Sequence, residues 1–113
     1  MGTSPWTWNH PRGTLDMRVI AKRALRQFWQ RYPDAEQQLR AWHSEAKSAD
    51  WRTPADVKAK YRSASILKAG RVVFNLCGNK YRLVVKINYA YRIVYVRFLG
   101  THLQYDGIDA EEV

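Results

Sequence analysis

The stretch Gly100-Thr101-His102-Leu103-Gln104-Tyr105-Asp106 gathers an imidazole, a phenol and a carboxylate within five residues. Imidazole exchanges a proton near neutral pH. A phenol can donate a hydrogen bond to a phosphate, and nearby cations lower its pKa. Joined by Arg82 and Arg97, these groups suit metal-independent RNA cleavage. That chemistry needs a base for the ribose 2′-hydroxyl, cations for the charge developing on the phosphorane, and an acid for the leaving oxygen. Arg82, Arg97, His102 and Tyr105 are therefore the candidate catalytic residues. His10, His43, His102 and Cys77 are scattered without metal-ligand spacing, so no metal or other cofactor is expected. Cys77 borders a turn glycine and reads as incidental rather than as a nucleophile. Cys77-Gly78-Asn79 reads as a hairpin, not as a phosphate-cradling loop.

The charge points to an anionic partner. The 113 residues carry 19 Lys and Arg against 10 Asp and Glu, a net charge of +9. Positions 17–99 alone hold 18 basic and 5 acidic residues, or +13, whereas 100–113 hold four acids and no Lys or Arg. General solubility seldom needs so large an excess of one sign. A membrane surface fits less well, because the basic residues do not gather on one long amphipathic helix. No apolar run approaches the ~20 residues that cross a bilayer, and the first residues lack the apolar core of a secretory leader. A single cysteine excludes an internal disulfide framework and suits a reducing cytoplasm.

These groups need a scaffold, and the hydrophobic periodicity supplies one. Residues 1–16 contain two Pro and two Gly without periodicity and read as a poorly ordered extension, with Trp6 and Trp8 either docked or exposed. The working domain is expected over 17–113. Met17–Ile20 suits a first strand. Ala21, Ala24, Leu25, Phe28, Trp29 and Tyr32 form one helical stripe, which Pro33 ends. A second helix is expected from Asp34 to about Ala49, with Ala35, Leu39, Trp42 and Ala46 facing inward. Thr53-Pro54-Ala55-Asp56 opens a third, short helix running to about Tyr61. Three strand-like runs follow, Arg71–Leu76, Tyr81–Asn88 and Ile93–Leu99. The order predicts an α+β domain, an N-terminal strand and helices packed on a C-terminal antiparallel meander.

The turns fix a register. A turn at Gly78-Asn79 sets Leu76 against Tyr81, Phe74 against Leu83 and Val72 against Val85 on an apolar face. A second turn centred on Ala90-Tyr91 sets Val85 against Val96, Leu83 against Phe98 and Val84 against Arg97. The opposite face then displays Arg71, Asn75, Arg82, Lys86, Tyr95 and Arg97 with no acid among them. Uncompensated like charges on neighbouring strands repel, so this face is expected to bind an anion. Arginine forks suit phosphate and aromatic rings stack on bases. Single-stranded RNA fits better than duplex DNA, because no recognition helix is evident.

The segment Arg71–Asp106 resembles the HigB family of bacterial type II toxins. The resemblance is carried by Val73-Phe74-Asn75 with Gly78-Asn79-Lys80-Tyr81-Arg82-Leu83, by Val96-Arg97-Phe98, and by Thr101-His102 with Tyr105-Asp106. Trp51, Pro54, Val57 and Lys58 extend it upstream, so that it covers about Met17 to Asp106. It implies a compact RelE-like fold and cleavage of messenger RNA without a metal, typically on the ribosome. It also implies neutralisation by a HigA-type helix-turn-helix antitoxin, with promoter DNA bound only through the antitoxin complex. Arg82, Arg97, His102 and Tyr105 match motif positions. Lys68, Arg71, Asn75, Lys80, Lys86 and Tyr95 are the candidate RNA-binding residues. Gln104 stands where the family pattern leads one to expect an acid. The residues leave two other readings open: a non-catalytic RNA- or ribosome-binding protein, and an interaction module whose basic face holds an acidic partner.

Overall fold

The computed structural model describes residues 17–20 and 22–113. The extension 1–16 with its tryptophans and His10, and Ala21 of the helical stripe, lie outside the described residues. The chain runs β1 (Arg18–Ile20), α1 (Lys22–Arg31), a 3₁₀ turn (Pro33–Ala35), α2 (Glu36–Ser48), α3 (Pro54–Lys60), β2 (Ser65–Ile66), β3 (Arg71–Leu76), β4 (Tyr81–Asn88), β5 (Ile93–Thr101) and α4 (His102–Asp106). The fold is α+β. The sheet order is β1-β5-β4-β3-β2, with β1 parallel to β5 and the other pairs antiparallel. No described helix is long and apolar enough to cross a membrane.

One face of the sheet is core. Ala35, Leu39, Trp42 and Ala46 recur at helical spacing and are all buried, against Val72, Phe74, Leu83 and Val85 from the strands. The Phe74 ring is the meeting point, with centroids 5.5 Å from Trp42 and 5.0 Å from Tyr61. In α3, Thr53 and Asp56 form the expected cap reciprocally, each side chain bonded to the other residue's main-chain N–H. Ala24 departs from expectation. It is exposed, because the inward part of α1 narrows to Leu25 with Phe28 and Trp29 half-buried.

The β3–β4 register is the expected one, with Leu76, Phe74 and Val72 opposite Tyr81, Leu83 and Val85. The Lys80 N–H closes the turn on the Cys77 carbonyl (3.2 Å). Cys77 and Gly78 both take left-handed conformations, with φ of 51° and 65°. A Cβ on Gly78 would meet nothing within 4 Å, so it is the backbone angle that asks for glycine there.

The β4–β5 register corrects the expectation. Lys86 and Val85 oppose Tyr95 and Val96 as expected, but a bulge follows between Val84 and Val85. Val84 meets Phe98 instead of Arg97, and Leu83 meets Leu99 instead of Phe98. One extra residue flips everything after it. Leu99 therefore packs on the main core, while Phe98 joins the opposite face.

That opposite face is also less open than its sequence suggested. Residues after α4 fold across it, so that Val73, Val84 and Ala110 are buried with Leu67, Phe98, Tyr105, Ile108 and Val113 around them. Arg71 is only 8% exposed. Asp109, Glu111 and Glu112 ride on the covering segment, so the face is not free of acids. Even so, no Asp or Glu side chain among the described residues pairs with Arg71, Arg82, Lys86 or Arg97.

On the helical side, Asp34 ties the β3–β4 hairpin to the helices. Its carboxylate accepts from the Tyr81 hydroxyl (2.6 Å) and from the Lys80 ammonium. These two donors, Lys80 first, hold the Asp34 carboxyl below its usual value. The folded protein therefore binds this proton less readily than the unfolded chain. Stabilisation from Asp34 is complete above the ordinary carboxylate range and is lost as pH falls through the lower folded value. An Asp34→Asn variant should be less stable than the parent at neutral pH, the gap narrowing below about pH 4. Urea midpoints at a series of pH values read this, and a gap independent of pH would contradict it.

Candidate active site

β5 leaves the sheet through Gly100 and Thr101, and α4 begins at once. The Thr101 hydroxyl oxygen accepts the Gln104 N–H (3.1 Å), and Gln104 Oε1 accepts the Thr101 N–H (2.9 Å). This is a reciprocal capping box, in which Glu and Gln both serve at the third helical position. The His102 N–H donates to the Lys80 carbonyl (2.9 Å), pinning the helix start to the β3–β4 turn. A Cβ on Gly100 would stand 2.7 Å from both Gln104 Oε1 and the Phe98 ring, so glycine lets this corner close.

The corner sets out side chains that can move a proton. His102 Nδ1 lies 3.2 Å from Asp106 Oδ2, one turn along α4, and both side chains are about half exposed. A carboxylate on Nδ1 selects the tautomer that leaves Nε2 as acceptor. Arg82, opposite Gly100, holds its guanidinium 5.8 Å from the centre of the Tyr105 ring. Arg82 Nη1 donates to the main-chain oxygens of Asn79 (3.0 Å) and Tyr81 (3.3 Å). The Tyr105 ring packs against Phe98 at 6.4 Å. Arg82 and Tyr105 thus share one end of the outer sheet face, and the His102–Asp106 pair stands on the same short helix as Tyr105. Asn75 is across the ladder from Arg82 and donates to the Ser63 carbonyl (3.3 Å).

The other candidates lie elsewhere. Along β4 the outward residues are Arg82, the buried Val84, and Lys86, which puts Lys86 about 13 Å from Arg82. At that end a cavity of about 760 Å³ is lined by Arg71, Lys86, Tyr95 and Arg97, with Asn88 and Tyr89 beside them. Arg71 Nη2 and Nε donate to the Val113 main-chain oxygen at 2.7 and 3.1 Å, and Arg97 Nε reaches the same oxygen at 3.3 Å. Lys68 is exposed in the turn between Leu67 and Ala69, two of the lining residues. Lys80 stands apart from both groups, on the helical side with Asp34. Cys77 also lies there, its Sγ 3.4 Å from the Asp34 carbonyl, and burial pushes its thiol pKa up.

Four of the sequence candidates therefore form the cavity (Arg71, Lys86, Tyr95, Arg97), and three form the corner (Arg82, His102, Tyr105). The sequence reading did not give Asp106 its place on the imidazole or Gln104 its place in the cap. The second was readable in the Thr-x-x-Gln spacing. The role of Val113 left no signal, because it depends on a segment that folds back over the sheet.

Comparison with known proteins adds two findings. The family model for HigB toxin, described as the RelE-like toxic component of a toxin–antitoxin system, matches residues 35–108. The mRNA interferase toxin HigB of Escherichia coli (strain K12) is 28% identical over 96 residues, covering 83% of this chain and 92% of that protein. Proteins named mRNA interferase HigB from Escherichia coli O157:H7 and Shigella flexneri match with the same identity and coverage.

The capping box makes Gln104 a positioning residue with a measurable effect. Gln104→Ala should cost about 1 kcal/mol, the worth of one hydrogen bond, and Gln104→Glu should stay close to the parent because the box accepts either side chain. Urea unfolding of the two variants is the measurement, and equal losses for both would contradict the assignment.

Proposed function

Because this chain belongs to the HigB family, the RelE-like toxic component of a toxin–antitoxin system, we propose that it is a metal-independent endoribonuclease that cuts messenger RNA on the ribosome and so halts translation. The observation that carries the reading is the corner at α4, where an imidazole backed by Asp106 stands on the same turn as a phenol covered by Arg82. Its relatives of known name are mRNA interferases. Family membership implies a cognate antitoxin, and we assign it the HigA type, with promoter DNA met through the toxin–antitoxin complex. The site of action is the cytoplasm. The working domain starts at Met17, whose side chain is buried and whose N–H bonds to Lys47.

In this reading His102 Nε2 removes the proton from a ribose 2′-hydroxyl, and the 2′-oxygen attacks the adjacent phosphorus. Asp106 stabilises the imidazolium that results. Arg82 faces the negative charge gathering on the phosphorane oxygens. Tyr105 gives its proton to the departing 5′-oxygen, and Arg82 stabilises the phenolate until the proton returns from His102. The products are a 2′,3′-cyclic phosphate and a 5′-hydroxyl. Arg97, counted among the catalytic candidates on sequence grounds, is assigned to binding with Arg71, Lys86 and Tyr95. Together with Lys68 and Asn75 they hold RNA phosphates and bases away from the cut.

Binding without cleavage draws support from the basic cavity, which is lined by no histidine. Primer extension on cellular messages separates the two readings. Expression of the full chain, or of one starting at Met17, should arrest growth and produce cut transcripts. His102→Ala and Arg82→Ala should each lower cleavage by about 10²–10⁴-fold, the usual worth of a positioned acid–base or charge-stabilising group, with the fold intact. Stripping the purified protein with a chelator, then removing the chelator before ribosomes are added, should leave the parent rate unchanged. Full toxicity in both variants would remove the corner as the site.

A further inference from the structure

A groove beside α1 plays no part in the corner's chemistry. β1 ends at Ile20, paired with Tyr95, so among the described residues β5 continues past Val96 with no strand on that side. α1 lies along this stretch and leaves a groove of about 370 Å³. Its apolar lining includes Phe28, Val96 and Leu99, and its polar lining is Gln27, Arg31 and Arg97. Ala24, exposed against the sequence expectation, also borders it.

Arg97 lines both this groove and the cavity of Arg71, Lys86 and Tyr95, so the two meet at the bulge. The charge is continuous as well. α1 reads KRALRQFWQR, with four basic residues and no acid, and β5 reads IVYVRFLGT, also without an acid. An anion rounding the sheet edge at Arg97 therefore meets no carboxylate from either element. Basic rims over an apolar or aromatic floor are what single strands use, phosphates on the cations and a base against the floor.

Resting on the endoribonuclease reading, we propose that a single RNA strand held in the Arg97 cavity crosses the sheet edge and seats a flanking nucleotide in the α1 groove. Arg31 takes its phosphate, and Phe28 and Leu99 take its base. An acidic segment of a protein partner would match the charge, but continuity with the cavity through Arg97 favours the strand already bound there.

The test uses the full chain and labelled 2′-O-methyl oligonucleotides, which cannot be cut, of four and ten nucleotides. The parent should bind the longer one more tightly. Arg31→Ala should weaken the ten-mer and reduce its salt slope by about 0.7, the worth of one single-strand phosphate contact, while leaving the four-mer unchanged. Arg31→Lys should restore the slope, and Arg23→Ala, on the same helix outside the groove, should resemble the parent. If the parent binds both lengths and Arg31→Ala alters neither, or if Arg23→Ala and Arg31→Ala act alike, the groove assignment is overturned and the cleavage reading stands. If Arg31→Ala instead loosens only the antitoxin encoded alongside, the groove belongs to the protein partner and the assignment is again overturned. If the parent binds neither oligonucleotide, the groove assignment is overturned, and the cleavage reading is decided separately by primer extension on cellular messages.

Discussion

In an antiparallel ladder side chains alternate strictly, so a single inserted residue exchanges the two faces for everything that follows. The bulge at Arg97 applies this constraint to β5. Before it, β5 pairs with β4 in the register that the turn dictates; after it, every partner is displaced by one. Leu99 goes to the core, Phe98 goes to the outer face, Gly100 falls opposite Arg82, and Thr101 falls opposite Tyr81. Only with this spacing does α4 begin where the Lys80 carbonyl can receive the His102 N–H. The ring of Tyr105 then lands beside Phe98 and under the Arg82 guanidinium. The bulged residue itself remains at the edge, bordering two cavities.

The electrostatics follow from the same arrangement. Arg82 on the outer face is oriented by the peptide oxygens of Asn79 and Tyr81 rather than by a carboxylate side chain, whereas Arg71 and Arg97 converge on the oxygen of Val113, the last residue of the chain. A peptide carbonyl dipole fixes the Arg82 guanidinium without cancelling its charge. The pairs that do cancel charge, such as Lys80 with Asp34 and Arg92 with Asp50 at 2.6 Å, serve the hairpin and the loop that ends at Arg92. The molecule thus separates cations neutralised by carboxylate side chains, such as Lys80 and Arg92, from Arg82, which only peptide oxygens hold.

Much of this was legible in the residues. Leu39, Trp42 and Ala46 declared the inner face of α2 by spacing, Thr53 and Asp56 declared a helix start, and Gly78-Asn79 set the β3–β4 register correctly. Those are local signals, carried by periodicity and turn chemistry. The bulge was not legible, because Val-Arg-Phe-Leu alternates plausibly in either register and the choice is made by packing of Leu99 against the core and Phe98 against Tyr105. The cover over Val73 and Val84 was hidden for a related reason. Ile108, Ala110 and Val113 are too sparse to announce an apolar face, and they become one only when laid on the sheet. For the candidate site, His102, Tyr105 and Arg82 stand out by type and family motif, whereas the displacement of Arg97 to a separate cavity follows from the bulge.

The central claim is that the ribose 2′-oxygen is the nucleophile, activated at His102 with Tyr105 serving the leaving oxygen. The most direct measurement is the chemistry of the cut ends made by the purified protein, with ribosomes present, on a defined message. The account predicts 2′,3′-cyclic phosphate and 5′-hydroxyl termini, and no cut where the nucleotide before the scissile bond carries a 2′-O-methyl group. Termini bearing a 5′-phosphate, or cleavage that persists beside the methylated ribose, would contradict it.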